Sequence, residues 1–535
     1  MRAKRNPVCE DGSLSTRKTS PDDGYDDYVA RIARGVGVSS AGQGVGRLLG
    51  YATRVALARM HGPAQLGFYA LGVTLVQVVN VLAQFGLDNG VVRYVAHYGA
   101  GGDTARVRGT ILQALGVTFA LSIMLSGGVF FGAGFLAEEV FGKPFLETMF
   151  RAFSVSIPFF TLMSMTLWAT QGFQTVKYAT LVQQVLRPLA NLILVVIFYL
   201  LGVEILGAVA AYMLSMVLGA VAALYYLKKV FPELLESGVR PRYESRELSA
   251  VSGPMIVANL TQYVNLWTAV IVLGVFEPAP VVGVYDVAAR TAGLSMLVLI
   301  SFGGIFSPMA SGLHQQGLTR DLGYLYEDVS RWAFTGALLI FVVTAMLSRD
   351  VMLVFGEEFS QGWTVIVVIA AAQLFNSSVG PTARLLAMTG HQKAVMVSTV
   401  GSALLAVAAS LLLVPPFGIL GAAAATAAAL VASNVATLYF VRRRLGFWPY
   451  SRRYAKPLLA GVASAAALYL VRSILLEAGL PALLVCAPVA LAVFAALLLS
   501  LGLSPSDRQF LASFRASLGR HARQTSPRGP GEKTG

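Results

Sequence analysis

Windows of about twenty apolar residues recur along almost the whole chain, each closed by glycine, proline or charge, and no other feature constrains the fold as much. A helix of that length, rising 1.5 Å per residue, crosses a hydrocarbon core about 30 Å thick. Lipid offers no hydrogen bond to backbone groups, so each window must satisfy its own by being helical. About fourteen spans result, at 36–60, 66–87, 109–131, 152–171, 178–201, 206–227, 251–276, 281–309, 332–347, 363–379, 394–413, 419–440, 455–474 and 481–503. Composition agrees: 56% of the 535 residues are hydrophobic and 13% charged, against about 25% charged in a soluble domain. The expected class is an all-α polytopic membrane protein.

Lysine and arginine stay preferentially on the cytoplasmic side of a membrane. With the N-terminus inside, roughly 32 of these cations fall in the tails and even-numbered loops, about 6 on the opposite side and about 3 within spans. Both termini are then cytoplasmic. Residues 1–33 and 504–535 are polar, have no apolar period and read as disordered tails, and 231–250 as a basic cytoplasmic linker. The net charge of +14 needs no nucleic acid partner, because loop bias and anionic membrane lipids account for it. Two cysteines, Cys9 and Cys486, make neither a disulfide framework nor a metal site.

The chain also repeats itself. Pro63-Ala64 and Gly67-Phe68-Tyr69 open the second span, and Pro278-Ala279 and Gly283-Val284-Tyr285 open the eighth. Thr170-Gln171-Gly172 before Lys177 matches Thr389-Gly390 before Lys393, and Leu206-Gly207-Ala208 matches Leu420-Gly421-Ala422. All three sets recur about 215 residues apart and in the same order, which indicates one duplicated unit of about six helices. Six crossings keep the orientation, so the expected architecture is two pseudo-symmetric six-helix bundles, 34–230 and 251–445, around a cavity on a twofold axis along the membrane normal. Two additional helices, 446–503, follow them. Such geometry suits a transporter.

No Gly-x-x-x-x-Gly-Lys-Ser/Thr loop is present, the five histidines have no ligand spacing, and no nucleophile–base constellation is found. Enzymatic catalysis, a metal and a cofactor are therefore not expected. The Gly42, Gly46, Gly50 ladder reads as a close helix-packing face or bend. What stands out is polarity inside spans, where an arginine costs at least about 2.5–3.5 kcal/mol unless it is paired or wet. Ser40, Gln43, Arg47 and Arg54 share one face of the first span; Gln183, Gln184, Arg187 and Asn191 share one face of the fifth, beside Pro188. Asn259 and Gln262, then Asp286 and Arg290, then Gln373 and Asn376 add further stripes on the seventh, eighth and tenth. Asp286 and Arg290, four residues apart, either neutralise one another or face the cavity. Arg54 either faces the cavity or snorkels to the outer interface. Arg47 and Arg187 have no carboxylate at helical reach in their own spans, which favours a cavity role. Asp88 and Asp286 are candidates for proton or ion coupling.

Several stretches together resemble the polysaccharide and O-antigen flippases of the multidrug/oligosaccharidyl-lipid/polysaccharide exporter superfamily. They are His61-Gly62-Pro63 to Gly67-Phe68-Tyr69-Ala70-Leu71, Gly86-Leu87 with Arg93-Tyr94-Val95-Ala96, and Gly283-Val284-Tyr285 with Ala288-Ala289-Arg290. Phe306-Ser307-Pro308-Met309-Ala310, Gly418-Ile419-Leu420-Gly421-Ala422 and Arg444-Leu445-Gly446 continue the series. The likeness covers about 34–500, and a second proline at 415 and the long basic N-terminal tail depart from the pattern. It implies a flippase of the cytoplasmic membrane, not an enzyme, that exports a prenyl-diphosphate-linked oligosaccharide for cell-surface polysaccharide, working beside polysaccharide polymerase or assembly proteins. Cavity arginines of that family would meet the diphosphate, which maps onto Arg47, Arg187, Arg290 and Arg54, with Gln43, Gln184, Asn191, Asn259 and Gln262 as polar lining. Three alternatives stay open: a cation-coupled multidrug-type antiporter, which would need an acidic cavity; a lipid II-type flippase; and a membrane glycosyltransferase or polymerase, which would need paired carboxylates or a large outer loop.

Overall fold

The computed structural model describes residues 21–234, 240–475, 478–502 and 507, with only the backbone given for 21–41, 245–254, 257–258 and 305. Helices α1 (Pro21–Gln84), α2 (Leu87–Ala100), α3 (Thr104–Phe135), α4 (Phe145–Ser154), α5 (Ser156–Gly172), α6 (Lys177–Thr180), α7 (Arg187–Leu200) and α8 (Ile205–Val230) form the first part. The second comprises α9 (Ser245–Phe276), α10 (Ala279–Ala292), α11 (Met296–Gln315), α12 (Thr319–Met346), α13 (Ser348–Leu353), α14 (Trp363–Val379), α15 (Thr382–Met388) and α16 (Gln392–Leu445). Helices α17 (Ala455–Ile474) and α18 (Leu480–Ser500) follow. No strand occurs among the described residues.

Twelve of the described helical segments are long and apolar enough to cross a bilayer. Two of them contain a reversal. The segment Gly42–Gln84, 43 residues long, turns at Gly62, whose φ of 74° is open to glycine. Pro63 then starts the next helix, where its missing N–H costs nothing. The reversal brings the Arg54 guanidinium to 5.2 Å from the ring of Tyr69, a pair that a straight helix would hold about 22 Å apart. Gln392–Leu445, with 54 residues, turns at Gly418 (φ 53°), and Gly421 comes back against the backbone of Leu413 and Val414. Each reversal separates two lengths that can each span, which recovers the fourteen passages expected from the apolar windows.

Two boundaries differ from expectation. Helix α1 begins at Pro21, inside the stretch read as a disordered tail, and α9 begins at Ser245, inside the stretch read as a linker. Helix continues through polar residues there because no proline follows Pro21 before the first apolar span, and neither proline nor glycine lies between Ser245 and the span at 251. Residues 1–20, 504–506 and 508–535 of the expected tails lie outside the described residues.

The repeat has a structural counterpart where α1 crosses α10. A side chain on Gly67 would run into the carbonyl of Ala279, and one on Gly283 into the carbonyl of Pro63. Pro63 and Ala279 are separated by the same offset as Gly67 and Gly283, about 216 residues, so the contact is reciprocal, as a twofold axis requires. Helices α17 and α18 pack on one another and on α12, and are pinned by Asp350, whose carboxylate accepts from Arg472 Nε (2.9 Å) and Nη2 (3.1 Å) and from the Gly479 amide (2.9 Å).

Candidate functional site between the repeats

Helix α1 reaches the centre of the molecule because two glycines remove its side chains where it meets the turn before α7. A methyl group on Gly42 would run into Thr180, and one on Gly46 would lie 2.6 Å from Gln184 Oε1, whereas Gly50 has open space around it. The ladder read from the sequence therefore packs at two of its three rungs. The facing turn, Leu181–Leu186, is π-helical. Its extra residue per turn accommodates Pro188, which lacks an N–H, and sets the direction of Arg187 at the start of α7.

Four arginines gather along this seam. Arg54 is buried, with a side chain 10% exposed, and its Nη1 stands 3.2 Å from Asp286 Oδ2 on α10. The other oxygen of Asp286 accepts from Arg290 Nε at 2.9 Å. One carboxylate is thus shared by two guanidinium groups, and Arg290, 47% exposed, keeps much of its surface open. Arg54 does not snorkel to the interface; its position over Tyr69 and beside Asp286 carries it inward instead. Arg47 donates to the Gly293 carbonyl at the end of α10, 3.3 Å away. Tyr69 and Tyr212, with rings 6.3 Å apart at 90°, stand within electrostatic reach of Arg54, Arg187 and Arg290.

Several polar atoms in this cluster are buried without a hydrogen-bond partner: Arg187 Nε, Asn191 Oδ1, Tyr212 Oη and Arg54 Nη1, which meets Asp286 as an ion pair without hydrogen-bond direction. Each such atom carries a desolvation penalty of about 1–3 kcal/mol that a polar ligand or water would relieve. The polar lining is only partly gathered here. Gln43, Gln184 and Asn191 belong to the α1 and α7 side, while Gln262 is exposed on α9 and Gln373 accepts from Asn376 within α14. Ser40 has no described side chain. Tyr69 and Tyr212 are not among the site residues expected from sequence; Tyr69 carries a signal as the end of the repeated Gly-x-Tyr, whereas Tyr212 sits in an apolar window with none.

Asn259 lies elsewhere. It donates to Asp88 Oδ2 (3.0 Å) across the contact of α2 with α9, and Asp88 Oδ1 has no hydrogen-bond partner. At the opposite, Gly62 end, Arg59 donates to the carbonyls of Val354 and Leu353, both at 2.7 Å, and Lys143 donates to Gly274 at 2.5 Å. All three cations and amides join the first repeat to the second. Burial lowers the Lys143 ammonium below its usual range, with Glu277 opposing the shift.

Among solved structures, the lipid II flippase MurJ in an inward closed conformation superposes with a TM-score of 0.70 at 12% identity, covering 86% of this chain and 97% of that one. An inward-facing multidrug resistance transporter of the MATE family reaches 0.62 at 16% identity, covering 75% and 95%. These likenesses show the fold. Stage V sporulation protein B of Bacillus subtilis (strain 168) is 24% identical over 419 residues, which is 72% of this chain and 79% of that protein. The probable low-salt glycan biosynthesis flippase Agl15 of Haloferax volcanii is 25% identical over 233 residues, 42% of this chain and 48% of its own length. With the polysaccharide biosynthesis protein family matching residues 32–314, more than half of the sequence, the chain belongs to that family.

Proposed function

We propose that this chain is a flippase that moves a lipid-diphosphate-linked oligosaccharide across the cytoplasmic membrane by alternating access, with 34–230 and 251–445 as the two rocking halves and 446–503 as an appendix to the second. The termini and the Asp88 end face the cytoplasm in this reading, and the Gly62 end faces outward, as the cation bias favours. The observation that carries it is the charge balance at the seam: of the four arginines there, Arg54 and Arg290 share the carboxylate of Asp286, and Arg187 and Arg47 have no carboxylate partner among the described residues. A cationic drug would be repelled there, while a diphosphate would meet planar, fixed donors. That balance disfavours the antiporter reading. The names of the relatives, a glycan flippase and a lipid II flippase by fold, agree in chemistry.

The physical task matches this lining. An unpaired sugar hydroxyl entering hydrocarbon costs about 4–8 kcal/mol, so several sugars need a polar path while the prenyl tail stays in lipid. Each negative charge leaving a cytoplasm that is negative inside gains about 2.3 kcal/mol per 100 mV, a drive that needs no nucleotide. Asp88, buried with one free oxygen, is the better placed of the two candidate coupling carboxylates, because Asp286 is already held by Arg54 and Arg290. The test is reconstitution in liposomes with a labelled prenyl-diphosphate oligosaccharide under an imposed potential. Wild type is expected to translocate it, and Arg187→Ala and Arg47→Ala to slow translocation about tenfold or more, the loss of one charge-assisted contact each. Equal rates in all three proteins would reject the site.

A further inference from the structure

Helix α13 is six residues long, and each of its ends is held by a different part of the molecule. At its start stands Asp350, 4% exposed. Among the described residues its oxygens accept three hydrogen bonds, all from the two helices that follow the repeats. They come from Arg472 Nε (2.9 Å) and Nη2 (3.1 Å) at the end of α17, and from the Gly479 amide (2.9 Å) just before α18. Arg472 Nη1 donates to the Leu475 carbonyl at 3.0 Å, so one guanidinium closes off α17 and fastens it to α13. At the other end, the carbonyls of Leu353 and Val354 accept from Nη2 and Nε of Arg59, both at 2.7 Å. A helix leaves its last carbonyls without internal partners, and a cation suits that end of its dipole. Arg59 lies on α1, in the first repeat.

Phe355 follows, 1% exposed, with its ring 5.2 Å from that of Tyr51 and edge-on to it at 77°. Tyr51 precedes Arg59 on α1 by two turns, about 12 Å along the axis, and its hydroxyl accepts from Thr291 on α10 at 3.4 Å. The α13 segment therefore grips α1 at two points, one of them between Arg47 and Arg54 in sequence. A six-residue helix has little stability of its own, so its place is set by what it packs on and is tied to. Two rocking halves need only the repeated passages. Helices α17 and α18 lie outside them, and at the Gly62 end their charged hold on the rest is Asp350.

We propose that α17 and α18 anchor the clamp at the Gly62 end, with Asp350 and Arg472 as positioning residues. They fix α13 to the second half, α13 holds α1 through Arg59 and Tyr51, and the firmness of that hold sets how often the Gly62 end opens. Freed from α17, α13 can follow α1 instead of restraining it, and the halves part more easily. This rests on the alternating-access reading above. A protein that spends less time closed at the Gly62 end loads less often from the Asp88 end, and its apparent affinity falls with that population.

The full chain in liposomes tests this both without and with substrate. In a cysteine-free background (Cys9→Ser, Cys486→Ala), spin labels at Glu139→Cys and Gln361→Cys, exposed positions on the two repeats near the Gly62 end, report the distance across it. Arg472→Gln is expected to raise the ratio of long to short distances about tenfold. It should raise the KM for translocation of the prenyl-diphosphate oligosaccharide severalfold without lowering the maximal rate. Arg472→Lys should fall between, since it keeps the charge but loses the planar fork. Arg59→Ala should shift the distances in the same direction, and adding Arg472→Gln to it should do less than the product of the two single effects, because both act on one contact. If Arg472→Gln alone does not fold, Asp350→Asn with Arg472→Gln removes both charges, leaves the Gly479 amide an acceptor and is read in the same way. Unchanged distances and KM, or single effects that simply multiply, would overturn the inference and leave the flippase reading in place. Distances that shift as expected in a protein that translocates nothing would overturn the flippase reading and keep the anchor.

Discussion

Asp286 is the residue on which the centre of the molecule balances. Its two oxygens face Arg54 and Arg290, and both Asp286 and Arg54 are buried, whereas Arg290 is half exposed. Breaking a buried ion pair by removing one member leaves the other charge desolvated, at about 3–5 kcal/mol. Asp286→Asn is therefore expected to lower Tm markedly in detergent, because Arg54 loses the carboxylate it pairs with among the described residues. Arg290→Gln should change Tm little, since that side chain is half exposed and an exposed pair contributes about 0–1 kcal/mol. The double variant Arg54→Met with Asp286→Leu should regain most of the lost stability and still fail to translocate, which separates fold from function. The Asp286–Arg290 pairing was legible in the sequence from its four-residue spacing. The Arg54 partnership was not, because it joins residues 232 positions apart whose proximity depends on the helix reversal at Gly62.

At the scale of elements, the apolar windows gave the number of passages because bilayer thickness sets helix length whatever the side chains are. What they could not give was how short the joins are: the windows break at 61–65 and 414–418, yet in each gap only one residue, Gly62 or Gly418, leaves helical geometry. Repeat glycines were legible as a pattern, and their reason is now physical. Gly67 and Gly283 are the places where α1 and α10 approach backbone to backbone, each lying against the other repeat's helix start. Adding one methyl group at such a contact forces the helices apart, which costs about 1–3 kcal/mol. Gly67→Ala and Gly283→Ala should each lower Tm by similar amounts, and the double variant by less than their sum, because the first separation makes room for the second. Additive losses would mean that the two contacts relax independently, and the reciprocal crossing would lose its meaning as a twofold element.

The whole molecule is held at both ends of the seam between its repeats. Arg59 and Lys143 clamp the Gly62 end through backbone carbonyls, and Asp88 with Asn259 joins the other end. Alternating access requires these two sets of contacts to break in turn, never together. The Gly62 set is the more extensive, as it includes the α1–α10 crossing, so opening outward is the step with more to undo. A cross-link there should stop the cycle. In a Cys9→Ser background, with Cys486 buried and protected, Arg59→Cys and Val354→Cys placed on the two sides can be joined by a short, cleavable bifunctional thiol reagent. The joined protein is expected to bind the prenyl-diphosphate oligosaccharide from the Asp88 side but to release none on the other, with transport returning once the reagent is cleaved. Transport at the normal rate with the bridge intact would mean that the substrate crosses without parting the Gly62 end, along the protein surface facing lipid, and the arginines of the seam would then have to be explained by something other than carriage.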